Sequence, residues 1–258
     1  MRKLFILLLS MAFSFGFFTQ ALAAQEEENY WEVITSIEQY ISYLEEESKN
    51  DDQAQEILET FLNLSEADQE NFIKALQPET YLDIIEKASN SPNEIIKYEL
   101  DNGEEIEISN IDTIEYEDNS VEMDLIENFG TMSTMSTTYR VTTPWAVSKI
   151  TIFGAGLTEF KTKLVYQSDG SRALQVYDLE KDRSNYNPAF WVTDVDYTNQ
   201  YVSGGIAYGG YQWTLNATGS VGFISANYDQ YVRANQNGTR QFKVNSNHHN
   251  LGFNWRNF

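Results

Sequence analysis

The sequence predicts an α+β protein, a small acidic unit of helices and a β-hairpin followed by an all-β antiparallel sandwich or barrel. Three observations carry this prediction. Apolar residues recur every three to four positions before Pro92 and every two positions after it. Turn dipeptides then punctuate the chain at close spacing. Charge divides in the same sense: residues 24–138 hold 4 Lys/Arg against 31 Asp/Glu, a net of −27, whereas residues 139–258 hold 11 against 8, a net of +3. The overall figure of −22 conceals that contrast.

The helical elements come first. Trp31, Ile34, Ile37, Ile41 and Leu44 fall on one face of a first helix, and Ile57, Leu58, Phe61 and Leu62 form the stripe of a second. Ser65 followed by Asp68 reads as a capping signal for a third carrying Phe72, Ile73 and Leu76, which Pro78 is expected to end. A fourth is expected over about Glu79 to Ala88.

Alternation then begins. Ile96 and Tyr98 should face Ile108 and Ile106 across a three-residue loop, Asp101-Asn102-Gly103, with the glycine left-handed. A second hairpin, Ile114-Tyr116 against Val121-Met123-Leu125 around Asp118-Asn119, is expected to follow. Gly130 to Thr138 is an uncharged Gly/Ser/Thr/Met run, the composition of a connector and a site for proteolysis. The organisation expected is therefore a segment 1–23 for export, an acidic domain 24–129, a linker 130–138 and a Tyr/Trp-rich β domain 139–258.

In that last domain Phe160, Thr162, Leu164 and Tyr166 alternate with charged residues, Asp169-Gly170 turns the chain, and Leu174 and Val176 run back. Trp191, Thr193, Val195 and Tyr197 share one side of a strand, as do Tyr211, Trp213 and Leu215. A two-residue Asn237-Gly238 turn would pair Arg233 with Phe242 and Tyr231 with Val244. Leu251, Phe253 and Trp255 alternate in a final strand.

The first residues fix an expected compartment. Arg2 and Lys3 precede the apolar run Leu4 to Phe18, which is too short to span a bilayer comfortably, and small residues at Ala21 and Ala23 suit signal peptidase cleavage before Ala24. The mature protein is expected to be secreted, from a bacterium. It has no cysteine, so disulfides, thiolate metal sites and thiol nucleophiles are excluded and a hydrophobic core must hold the fold.

Few residues offer catalysis. The two histidines, His248 and His249, read as a loop between strands. No phosphate-cradling glycine loop or zinc helix occurs, and no cofactor or metal is expected. Asp178, Glu180 and Asp182, and again Asp194 and Asp196, alternate as strand carboxylates; a close pair could serve a hydrolase acting on envelope polysaccharide. The first three also resemble the start of a calcium loop, but Arg183 and Ala189 stand where Gly and Glu belong.

Aromatic content is the more distinctive feature. Trp191, Tyr197, Tyr201, Tyr208, Tyr211 and Trp213 surround Gly204-Gly205 and Gly209-Gly210, a composition suited to a core or to stacking on sugars. Nucleic acid is a poor partner for a net of +3 without a basic stripe. The function expected is a secreted, non-enzymatic, bacteriocin-like or envelope-binding protein, whose partner is cell-envelope polysaccharide or a membrane surface. In that reading the acidic region is a pro-region that masks the β domain.

Overall fold

The computed structural model describes residues 33–115, 124–126, 138–195, 200–219, 222–235, 240–246 and 256–257. The expected signal segment and its processing residues Ala21 and Ala23, Tyr197, Asp196, the two histidines and most of the 130–138 run lie outside them. Among the described residues four helices precede a β region in two antiparallel sheets, so the α+β class with a sandwich-like second part is the fold.

The helices are α1 (Ile37–Glu47), α2 (Asp52–Leu62), α3 (Glu66–Ala75) and α4 (Pro78–Asn90). Ser36, Asp51 and Ser65 precede the first three in extended conformation, and each side chain accepts a backbone N–H, from Gln39, Gln53 and Asp68. Such caps contribute about 1 kcal/mol each. Pro78 does not end α3 in the sense expected; it occupies the first turn of α4, where a missing N–H costs nothing. The apolar stripes meet in an aromatic cluster in which the Tyr40 ring stands 5.1 Å from Phe61 and 5.5 Å from Phe72. Leu62, expected in the second stripe, is half exposed instead, because Phe61 fills the inward position.

β1 (Ile95–Glu99) and β2 (Glu105–Glu115) form the first hairpin with the expected register, Ile96 opposite Ile108 and Tyr98 opposite Ile106. Gly103 has φ +82°, a conformation that glycine alone adopts without a side-chain penalty. Most of the second expected hairpin, Tyr116, Asp118-Asn119, Val121 and Met123, lies outside the described residues. Its described end Ile114 pairs with β5 (Trp145–Ile152), not with Leu125. β2 runs on to Glu115 along β5, while β3 (Asp124–Ile126) pairs with β4 (Thr138–Thr142). A two-stranded ribbon has little to bury, whereas β5 places Ala146, Ile150 and Ile152 beside Ile114, Asn110 and Ile108. Thr138, counted as the last linker residue, is a buried member of β4.

Sheet A runs β1-β2-β5-β6-β4-β3, with β7 on the other edge of β6; β6 spans Ala155–Ser168 and β7 Ala173–Asn185. Asp169 builds the β6–β7 turn by accepting from the Ser171 hydroxyl and from the Ser171 and Arg172 amides, which holds its carboxyl down at about 2. Sheet B runs β13-β12-β11-β10-β8, with β9 beside β8 on the same edge of β10. Its strands are β8 (Phe190–Val195), β9 (Tyr201–Ser203), β10 (Ile206–Gly219), β11 (Gly222–Ala234), β12 (Arg240–Ser246) and β13 (Arg256–Asn257). The register of β11 with β12 differs by one residue from the two-residue turn expected: Phe242 lies opposite Val232 and Val244 opposite Gln230. Val232 and Gln230 are buried, so this register aligns Phe242 and Val244 with the core-facing row of β11; a one-residue slip would move every residue to the other face.

One face of sheet A supports two different layers. Around β2 it meets the helices, where the Tyr98 hydroxyl donates to Asp83 at 2.7 Å. Around β6 it meets sheet B, where Phe160 lies 4.9 Å from Trp213 and 4.5 Å from Tyr228. The helices also grip the β7–β8 connection. Tyr40 donates to the Tyr186 carbonyl, Tyr186 to Asp51 at 2.6 Å, and the Asn187 amide to the Leu76 carbonyl at 3.0 Å. Sheet and core therefore run across the boundary that charge draws between the two segments.

Buried tyrosines give this core a pH limit. Burial pushes the Tyr228 hydroxyl up to about 12, with the hydrogen bond to Ser148 at 2.7 Å acting the other way, and burial also raises Tyr40, Tyr81 and Tyr186. A phenol whose folded value exceeds its unfolded value near 10 stabilises the fold fully below about pH 10 and loses that contribution as pH climbs toward the folded value. Alkaline titration should therefore show one cooperative unfolding step above about pH 10. Tyrosinate absorbance should rise with it, and gradual ionisation of all tyrosines before any loss of near-ultraviolet dichroism would contradict this.

Candidate functional site

Strand parity sorts the candidate aromatics. Along β10, Ala207, Gly209, Tyr211, Trp213, Leu215 and Ala217 face sheet A and are buried. Trp213 is 1% exposed, and Tyr211, 8% exposed, donates its hydroxyl to the Leu179 carbonyl at 2.6 Å. These two belong to the core, not to a ligand platform. Gly209 is needed there: a Cβ would stand 2.5 Å from Leu179 and 2.8 Å from Leu164.

The opposite face of β10 carries Tyr208, Gly210, Gln212, Thr214, Asn216 and Thr218. Tyr201 on β9 pairs with Tyr208, and their rings stack at 4.8 Å and 7°. Tyr201 is half exposed. Next along the face, Tyr231 of β11 lies across Gly210, where an added Cβ would come within 2.3 Å of the ring. At the far end Trp191, opposite Asn216, has its ring 5.7 Å from that of Phe223, which is 66% exposed.

Between these ends the face is polar and small. Gln212 donates to Asp229 at 2.7 Å, Thr214 to Asn227 at 3.0 Å, and the Asn216 amide to Thr193 at 3.1 Å. Amides and hydroxyls both donate and accept, so a ligand with many hydroxyls finds matching groups along this row. Of the sequence candidates the structure brings Trp191, Tyr201 and Tyr208 to this face. Tyr231, Phe223 and the amide row were missed; alternation along β10 was available to find the amide row, whereas Tyr231 and Phe223 depend on the register of β11.

The carboxylates do not converge. Asp178, Glu180 and Asp182 lie on the face of sheet A away from sheet B, where Glu180 pairs with Lys163 at 2.8 Å. Asp194 meets the opposite face of β7, where it pairs with Lys181 and Arg183. Residues 178–185 are extended strand, which is the wrong backbone for a calcium loop. No group of three metal-binding side chains occurs among the described residues. Cations near β6 are engaged too: Lys161 bridges Glu115 and Glu159, and against the opposing effect of burial these partners raise its ammonium above the ordinary value.

No family model, curated protein or solved structure matches this chain.

Proposed function

We propose that this chain is exported, with the signal segment removed before Ala24, and that the mature protein acts outside the cell by binding. Its binding surface is the outer face of sheet B, and its target is the cell envelope. The observation that carries this reading is the make-up of that face, a largely amide and hydroxyl row framed by aromatic rings at both ends. Aromatic anchors beside adaptable polar groups are what recognition surfaces use.

A carboxylate hydrolase is not favoured, since its candidate acids stand on different faces and are engaged by cations. The acidic segment takes a different part in this reading from that of a detachable mask. It completes sheet A and its core, and its Glu-rich exterior keeps the protein soluble.

Sedimentation of the mature chain with isolated cell walls tests the reading. The protein should pellet with walls and stay in solution with phospholipid vesicles. Absence from wall pellets at any salt concentration would remove the proposal. Intact mass from culture medium should give the chain beginning at Ala24, and retention of residues 1–23 would remove the export claim.

A further inference from the structure

We infer that the ligand of the sheet B face is an extended, uncharged polysaccharide chain lying along β10, gripped by ring stacking at both ends. This rests on the binding role proposed above and specifies its ligand.

The two aromatic ends are far apart. Tyr208 and Asn216 are eight residues apart on one strand, and Trp191 lies directly across from Asn216, so the ends stand about 27 Å apart at the usual rise of a strand. A single sugar or a short oligomer covers one end only. A polymer occupies both, and the second contact then forms at high effective concentration.

The chemistry between the ends narrows the class. The apolar C–H face of a pyranose lies flat on a phenol or indole ring, which matches Tyr201 stacked on Tyr208 and Trp191 beside Phe223. Sugar hydroxyls each donate and accept, which matches the partly exposed Gln212 and Thr214, while Asn216 is itself buried. Small Thr and Asn side chains on a regular ladder leave the face shallow, so it suits a ribbon better than a globular partner's protruding side chains.

An anionic chain is disfavoured. The charged residues in the described rows of this face are Arg233, opposite Tyr208, Lys243, opposite Tyr231, and Asp229, already engaged by Gln212. Two cations and one anion spread over three rows make no basic stripe and provide little attraction for phosphate or carboxylate polymers. Membrane insertion is disfavoured as well, because the amide row would lose its water.

The test is native gel electrophoresis of the mature chain in gels containing hydroxyethylcellulose or glycol chitin, two soluble uncharged β-linked polymers. At least one should retard the protein. Trp191→Ala and Tyr208→Ala should each weaken the retardation about tenfold, the usual size for an aromatic anchor. Trp191→Phe and Tyr208→Phe should restore most of it, and a trimer of N-acetylglucosamine should compete only weakly.

Unchanged melting temperatures establish that the Ala variants are folded. No retardation by either polymer, or retardation indifferent to both Ala variants, would overturn the inference. So would binding confined to vesicles of anionic phospholipid. Wall sedimentation that persists without polymer binding would end this inference and leave the envelope-binding reading standing; loss of both would end both.

Discussion

A fragment that begins at Tyr139 is expected not to fold on its own. It would lack β1, β2 and all four helices, leaving β5 with an open edge and exposing Ile150, Ile152, Leu157, Tyr186 and Phe190, all buried in the whole chain. Burying a large apolar side chain contributes about 1.5–3 kcal/mol. Losing several at once exceeds the 5–15 kcal/mol that holds a typical domain together. Amide signals of the fragment should be collapsed, and adding residues 24–126 as a separate chain should disperse them. A well-dispersed spectrum and a cooperative melt from the fragment alone would show the shared core to be dispensable. By the same reasoning, a single protease cut within 127–137 should leave the two pieces associated under native conditions and separable only in denaturant.

The second large effect is expected at Trp213. It is 1% exposed and packed at a tilt against Phe160 and Tyr211, so Trp213→Ala should cost about 3–5 kcal/mol through lost burial and the cavity left behind. In a chain of this size that lowers the melting temperature by roughly 6–20 °C. Trp191→Ala, on the outer face of sheet B, should leave the melt almost unchanged while weakening attachment to walls. The two tryptophans therefore separate stability from binding, and a large loss of stability at Trp191 would place it in the core instead.

Local signals were read well from the sequence, and pairing across the chain was not. Gly103 and the Tyr98–Ile106 register follow from a loop of three residues between alternating runs, as the β6–β7 turn follows from Asp169-Gly170. The partner of β2 does not follow in this way. It lies about thirty residues downstream, and no pattern within β2 distinguishes β5 from a nearer candidate. Charge also misleads about packing. The excess of Glu before residue 130 reports what faces water, whereas membership of sheet A depends on what faces inward, where Ile106 and Ile150 look alike.

The candidate site was legible by half. Tyr201, Tyr208, Tyr211 and Trp213 were grouped by proximity in the chain, but odd and even positions of β10 point to opposite faces. Parity alone separates Tyr208 from Tyr211. What parity cannot provide is the neighbour across the ladder, and so Tyr231 over Gly210 and Phe223 beside Trp191 emerge only once β10 and β11 are in register.

The grip of the helices on the β7–β8 connection sets the order in which the molecule can assemble. The hydroxyl of Tyr40 waits for Tyr186, 146 residues later, and Leu76 waits for Asn187, 111 residues later. Contacts of such separation form late and make folding slow. A chain emerging from its N-terminus would present four helices packed on one another and on β2 but still lacking Tyr186 and Asn187 until roughly three quarters of it had appeared. Under the export proposed above, that delay would keep the segment still to be threaded open, and folding would be completed on the side where the last strands arrive.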